Sequence, residues 1–515
     1  MRGWKKVLMI LLIVLLFSAV GTGLAWHFEH YIMVDLHFYP RNARTLDLRG
    51  EKITISHYEK LRRSLPGCEI AWDVPFQQGT YPHDAKKVTL SALTEADISV
   101  LDYLTELETV EAEGCTDYGA LLSLEERRPG LTLNYTVQLG QETYSRQAKR
   151  IDVKHVQPHE TERLACFPQL HTVVCSGGQT EQIAGLQQWC RDHGLTFRIG
   201  IGGKAVSETV EELTLKKIRD EEAALLQFLP NLKQVHLVEP EAAPETLIAL
   251  RNGAAGLKVT WEAEICGVLS SSEDAEIDLS KAEIESLRDV EAGMAWFPDA
   301  ETVFLGKCDI SNESLADFRE RMREHYKVVW TVELGEKLTA RTDDTTFMPV
   351  RTYVYYFNDK EAENLRYCED MVCIDIGHMS IHHIDFVEFM PDLEYLVLAH
   401  TQVNDISAIV HCRKLKFLEL DWTPLKDYTP LLELENLEDL NLGNTFGDFT
   451  PIGKMTWLKN LWMIGCSRGP AYKMTEALPD TTVMITGAAT VANGWRKLDN
   501  YYEMRDLLGM EYMGW

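Results

Sequence analysis

Cations are scarce in this sequence. Lys and Arg number 51 against 79 Asp and Glu, a formal net charge of −28. A field of that sign repels phosphate backbones and anionic headgroups, so no nucleic-acid partner is expected. Paired cysteines are missing too: the 11 cysteines are an odd number, scattered singly with no CxxC, which argues against both a disulfide framework and a zinc ribbon. They read as small core residues. No HExxH, GxSxG, Walker or SxxK pattern stands in a compatible context, and no cysteine has a histidine partner that would mark it as a nucleophile. The sequence therefore predicts no enzyme and requires no cofactor. With 45% apolar and 25% charged residues, it does have enough apolar material for a large core, which excludes disorder as the main state.

Charge is also absent from Val7 to Ala25, a 19-residue run preceded by Arg2, Lys5 and Lys6. That pattern predicts a cytoplasmic tail over 1–6 and a transmembrane signal anchor over 7–25, with the rest of the chain outside a cell membrane it crosses once. Gly23 and Ala25 would also suit a cleaved signal peptide, although the apolar run is long for one. No cysteine follows to carry a lipid, since the first is Cys68.

What is abundant is leucine at fixed spacing. The segments beginning at Met371, Leu393, Leu415, Leu437 and Leu458 approximate LxxLxL, at spacings of 22, 22, 22 and 21. In a short strand, positions four and six share a side, so Leu396 with Leu398, Leu418 with Leu420 and Leu440 with Leu442 are predicted to be buried together. Segments starting at Asp405, Asp427 and Asp448 follow with the same period. These residues resemble the 22-residue, internalin-like leucine-rich repeat. The resemblance implies an inward Asn or Cys three positions past the last strand leucine. Here that column reads Met379, Thr401, Thr423, Thr445 and Cys466, with Cys115 and Cys308 at the same offset upstream. Threonine can make the inward bond and methionine cannot, so a looser first coil is expected.

Upstream the period lengthens to about 63 residues. Trp72, Tyr135, Ile199, Trp261 and Trp330 recur at spacings of 63, 64, 62 and 69, and each module holds three strand-like segments. Leu48 precedes Leu90 by only 42, so the first module lacks its middle strand. A helix is predicted after each middle strand, with Ile183, Leu186, Trp189 and Cys190, or Leu315, Phe318 and Met322, on its apolar stripe. Third strands that run into a glycine, as in NYTVQLGQETY, predict hairpins. The Trp72 column is expected to be packing.

The anchor, the YPRNARTLDLRG start, the VxWxV module ends and the NGWRKLDNYYEMRDLLGMEYM close are together similar to a group of uncharacterised leucine-rich repeat surface proteins of Gram-positive anaerobic bacteria. The resemblance implies fold and location, and no mechanism. The expected architecture is an α/β leucine-rich repeat solenoid with parallel strands on its concave face. It runs as a linker over 26–41, long modules over 42–349, a transition over 350–370, regular repeats over 371–486 and a cap over 487–515. In the cap, Trp495, Tyr501, Met504 and Leu507 are expected to cover the open end of the last coil.

Chemistry-bearing clusters are few. His378, His382, His383 and Asp385 have metal-ligand types, but their spacing favours ordinary loop histidines. Gly200, Gly202 and Gly203 lack the helix and acid of a dinucleotide site and read as a turn. The best candidate is the concave face of the regular repeats, where positions three and five of LxxLxL point away from the leucines. Those columns, with the residues just after, give Tyr395, Val397, His400, Phe417, Glu419, Asp421, Trp422, Asn441, Asn444 and Trp462. Aromatics beside acids suit a protein or peptide ligand with basic groups, or a glycan; the alternative is that these residues stack along the solenoid or are covered by a flanking hairpin. Two functions stay open: a non-enzymatic recognition surface, or a passive spacer or scaffold.

Overall fold

The computed structural model describes residues 4, 8–13, 15, 16, 18, 29–77, 79–253, 256–349 and 357–510. The chain divides into two compact units, Met1–Val235 with Glu241–Lys258, and His236–Pro240 with Val259–Trp515.

In the first unit the module strands form short parallel sheets. Arg150–Val153, Thr172–Cys175 and Thr196–Ile201 pair in register. Alternation explains why: Ile151, Val153, Val173, Cys175, Phe197, Ile199 and Ile201 all point into the core. The helix Thr180–Asp192 crosses between the second and third strands and buries Ile183, Leu186 and Cys190. Trp189 departs from its expected stripe, being half-buried and stacked on His193. The third strand then turns at Gly202 and Gly203, whose φ values of 54° and 73° suit glycine, and returns antiparallel as Lys204–Ser207. Similar hairpins follow at Glu69–Phe76 with Gly79–Pro82, and Thr136–Leu139 with Glu142–Ser145. The first module lacks a middle strand, and Thr45–Leu48 pairs directly with Glu69–Phe76. Trp72, Tyr135 and Ile199 are buried. They do not form a ladder with one another, because Trp72 stacks on Tyr58 within its own module.

The second unit contains a module on the same plan. Glu276–Asp278, Thr302–Phe304 and Lys327–Val329 are parallel, and a hairpin of Thr331–Glu333 with Thr339–Arg341 follows. A seven-stranded parallel sheet comes next: Thr346–Phe347, Cys373–Asp375, Tyr395–Val397, Phe417–Glu419, Asp439–Asn441, Asn460–Trp462 and Thr482–Met484. Leu396, Leu418, Leu440, Leu461 and Val483 are directly opposite one another, so each coil places its fourth position over the same buried column. The backs of these coils are short 3-10 turns such as Ser407–His411 and Thr429–Glu433. Asp405, Asp427 and Asp448 each accept the backbone N–H two residues on, which starts the turn.

Thr401, Thr423 and Thr445 donate their hydroxyls inward at 2.7 Å to the leucine carbonyl three residues before. The first coil keeps its turn despite the methionine. The Met379 N–H bonds the Ile376 carbonyl just as the Thr401 N–H bonds that of Leu398, and the side chain packs in the core.

The expected transmembrane anchor, and with it the single-pass cell-membrane location, is not supported. Among the described residues no helix is long and apolar enough to cross a membrane. A span needs about 20 helical residues. Within Val7–Ala25, residues 8–13, 15, 16 and 18 are helical; the other positions of that run lie outside the described residues, as do 350–356 of the expected transition.

Candidate functional site

The uninterrupted sheet of the second unit brings the predicted columns into register. Tyr395, Phe417, Asp439 and Asn460 are partners across neighbouring strands, as are Val397, Glu419, Asn441 and Trp462. The structure thus assembles all ten candidates on one side of one sheet and its adjoining turns. It exposes only a few of them. Tyr395, Val397, Phe417, Glu419, Asp421, Asn441 and Trp462 are buried, whereas His400 and Trp422 are exposed and Asn444 is half-buried.

What buries them is the C-terminal segment. It was expected over the end of the last coil; instead it lies across the sheet face. A 3-10 turn, Trp495–Lys497, and a helix, Asp499–Leu507, bring Trp495, Tyr501 and Met504 into one cluster with Tyr395, Val397, Phe417 and Trp462. Leu507, the fourth residue expected in the cap, stays exposed. The sheet's own aromatics, Tyr395, Phe417 and Trp462, supply the apolar area against which the segment packs. Polar bonds fix the register. Trp495 Nε1 donates to Glu419 Oε2 at 2.9 Å, Thr490 Oγ1 to Asp421 Oδ2 at 2.7 Å, and Trp462 Nε1 to the Ala492 carbonyl at 2.7 Å. Tyr395 donates its hydroxyl to Glu503 at 2.6 Å, and Asn500 Nδ2 reaches Asp439 Oδ2 at 3.0 Å. Gly443 is needed beneath: a Cβ there would lie 2.6 Å from Thr490 Cγ2.

Electrostatics follow burial. The Glu419 carboxyl is pushed well above the ordinary carboxylate range, first by burial and then by the adjacent Asp421. Burial also raises Asp439, against hydrogen bonds from Asn460 and Asn500 that lower it. Asp421 Oδ1 is buried with no hydrogen-bond partner.

Beside the covered face runs an exposed ridge. Each coil turns through one left-handed residue after its strand: His378, His400, Trp422, Asn444 and Gly465, with φ of 66°, 58°, 60°, 51° and 84°. Their N–H groups bond the next coil, His400 to Asp421 O at 2.8 Å and Trp422 to Gly443 O at 2.9 Å. His378 stacks on His400 at 4.4 Å and His400 on Trp422 at 5.5 Å. Glycine or asparagine would adopt this backbone at less cost, and a bulky residue there is uncommon. Sequence reading grouped His400, Trp422 and Asn444 but took His378 for an ordinary loop histidine and missed the left-handed backbone, for which the 22-residue recurrence of His378, His400, Trp422 and Asn444 was the available signal.

No group of three or more metal-ligating side chains stands together among the described residues. His382 and His383 donate backbone N–H groups to Asp359, and His378 belongs to the ridge.

Parallel sheets, buried leucine columns and inward threonines define a leucine-rich repeat fold. No family model and no curated protein matches the chain. Among solved structures, an internalin C2 of Listeria monocytogenes is 15% identical over 52% of this chain and 86% of its own, with a TM-score of 0.19. A leucine-rich repeat protein of Leptospira interrogans is 13% identical over 76% of this chain and 92% of its own, with a TM-score of 0.20. A TLR13–ssRNA13 complex is 13% identical over 74% and 60%, also at 0.20. The fold assignment rests on the strand register and the leucine columns.

Proposed function

We propose that this chain is a non-enzymatic recognition protein that binds a protein or peptide along the regular repeats of its second unit, at the His378, His400 and Trp422 ridge and the adjoining sheet face. One observation carries the reading. Bulky rings occupy three successive positions whose backbone favours glycine or asparagine, and Trp422 is 53% exposed there. Strain of this kind, at a side chain that buries little of itself, is the pattern of a contact residue. Rigid aromatic area is also what binding hot spots use.

The test pairs stability with capture. Trp422→Asn with His400→Asn should leave the melting temperature nearly unchanged, since relief of left-handed strain offsets lost stacking of about 1 kcal/mol. The same change should abolish binding of any partner the native chain captures. Undiminished capture by a folded double variant would remove the ridge from the site. A spacer role is the second reading, favoured by the chain's own occupation of most of the sheet face; it expects no partner at either surface.

A further inference from the structure

The C-terminal segment satisfies its seat unevenly. At Asp439 the match is complete: Asn460 Nδ2 and Asn500 Nδ2 each donate to one carboxylate oxygen. On the neighbouring strand it is not. Glu419 and Asp421 are 8% and 2% exposed, their carboxyls interact directly, and the segment offers each one neutral donor, Trp495 and Thr490. Asp421 Oδ1 receives none.

No strong cation compensates among the described residues. Lys416 is paired with Glu394 and Lys459 with Glu438, both at 2.7 Å. Arg505 lies over the Tyr501 ring, and Arg496 and Lys497 face outward. Asp375 adds a further negative charge nearby, and Glu503 is bonded to Tyr395. The imidazole of His400 comes no closer than 3.9 Å to Asp421. Two touching buried carboxyls are tolerable only while they hold a proton, and Glu419 is pushed toward retaining one. A proton is thus standing in for a cation.

We propose that the sheet face over Glu419 and Asp421 is a receptor for an amphipathic segment that carries an ammonium or guanidinium group, and that residues 488–510 are its resident, displaceable occupant. The proposal rests on the recognition reading above and names its partner's chemistry. The aromatic cluster supplies the apolar half of the match, shown by the seated Trp495, Tyr501 and Met504. The acid pair supplies the selectivity: a cation inserted at the Thr490 hydroxyl meets Asp421 Oδ2 directly, with the Glu419 carboxyl adjoining Asp421, and the retained proton leaves to solvent. Charge-assisted bonds of this type are roughly twice as strong as neutral ones.

The experiment uses the full chain with Trp495→Ala, which weakens the resident segment. Two synthetic peptides spanning residues 488–510 are titrated in. One is native; the other carries 2,3-diaminopropionate in place of Thr490, putting an ammonium where the hydroxyl lies. The cationic peptide should bind at least about tenfold more tightly. Calorimetry in buffers of differing ionisation enthalpy should show that the complex with the cationic peptide holds fewer protons than the complex with the native one, and both differences should vanish in Asp421→Asn. Equal affinities, or equal proton counts in the two complexes, would overturn the proposal while leaving the face a peptide seat. Binding of neither peptide would also overturn it, and the ridge test would then decide the broader reading separately. Should Trp495→Ala not fold, excess cationic peptide added to the native chain should expose residues 488–510 to protease; continued protection counts against the proposal.

Discussion

The long modules and the regular repeats both stack parallel strands over a leucine-rich core, yet only the repeats build a broad face. In the module at Glu276–Arg341, three parallel strands run into an antiparallel hairpin, and the helix Asn312–Met322 buries Leu315, Phe318 and Met322 behind them. In the repeats a 3-10 turn such as Thr429–Glu433 buries only Leu431, no hairpin intervenes, and seven strands stay in register. The uninterrupted pairing of these seven strands leaves the outer columns continuous. A sheet face carrying Tyr395, Val397, Phe417 and Trp462 in water invites a cover, which the C-terminal segment supplies.

The comparison breaks most severely at the repeat period. Deleting residues 415–425 shifts buried leucines out of their column and should abolish the cooperative melt of the second unit, read by far-UV circular dichroism. Deleting all of 415–436 keeps the column and should leave a folded chain, less stable because Phe417 and Glu419 go with it. Equal damage from both deletions would contradict a unit that repeats every 22 residues.

Buried tryptophans in the two regions give the next largest contrast. Trp330 is core to its module and donates Nε1 to Asn312 Oδ1 at 2.9 Å. Trp330→Ala should cost about 3 kcal/mol or more of global stability. Trp495→Ala removes a comparable contact, but from a cover. Its cost should fall on residues 488–510 alone, seen as proteolysis there with the main transition little changed. A global loss in both would show that the segment is integral to the core.

The smallest effect is a pH dependence confined to the cover. Glu419 binds its proton more tightly when buried than when exposed, where its ordinary value is 4.5. The covered state therefore holds more protons, and docking of the segment should weaken as pH rises above that value. Asp439, also raised, acts in the same direction. Glu419→Gln should flatten the profile and tighten docking at neutral pH, monitored by hydrogen exchange of residues 499–507. An unaltered profile would assign the effect to Asp439 or elsewhere.

Much of this was legible in advance. Leu396, Leu418 and Leu440 declare their common column by spacing alone, and because side chains alternate, the outer columns follow without further information. The hairpins were legible from glycines such as Gly202 and Gly203. The burial of Tyr395, Phe417 and Trp462 was not, since a strand pattern states which side a residue faces and not what else lies on that side. The anchor expected from an uncharged run at the N-terminus shows the same limit: apolar composition is local, whereas a membrane span requires a helix of sufficient length.

Local periodicity is thus what the sequence determined by itself: strand positions, inward and outward columns, threonine bonds and turn residues all depend on neighbours within one coil or the next. Tertiary structure alone decided the fate of the outward columns. Trp495 meets Glu419 across 76 residues of chain. No spacing rule reaches that far, because the contact is selected by the apolar area and unpaired carboxyls that the folded sheet presents.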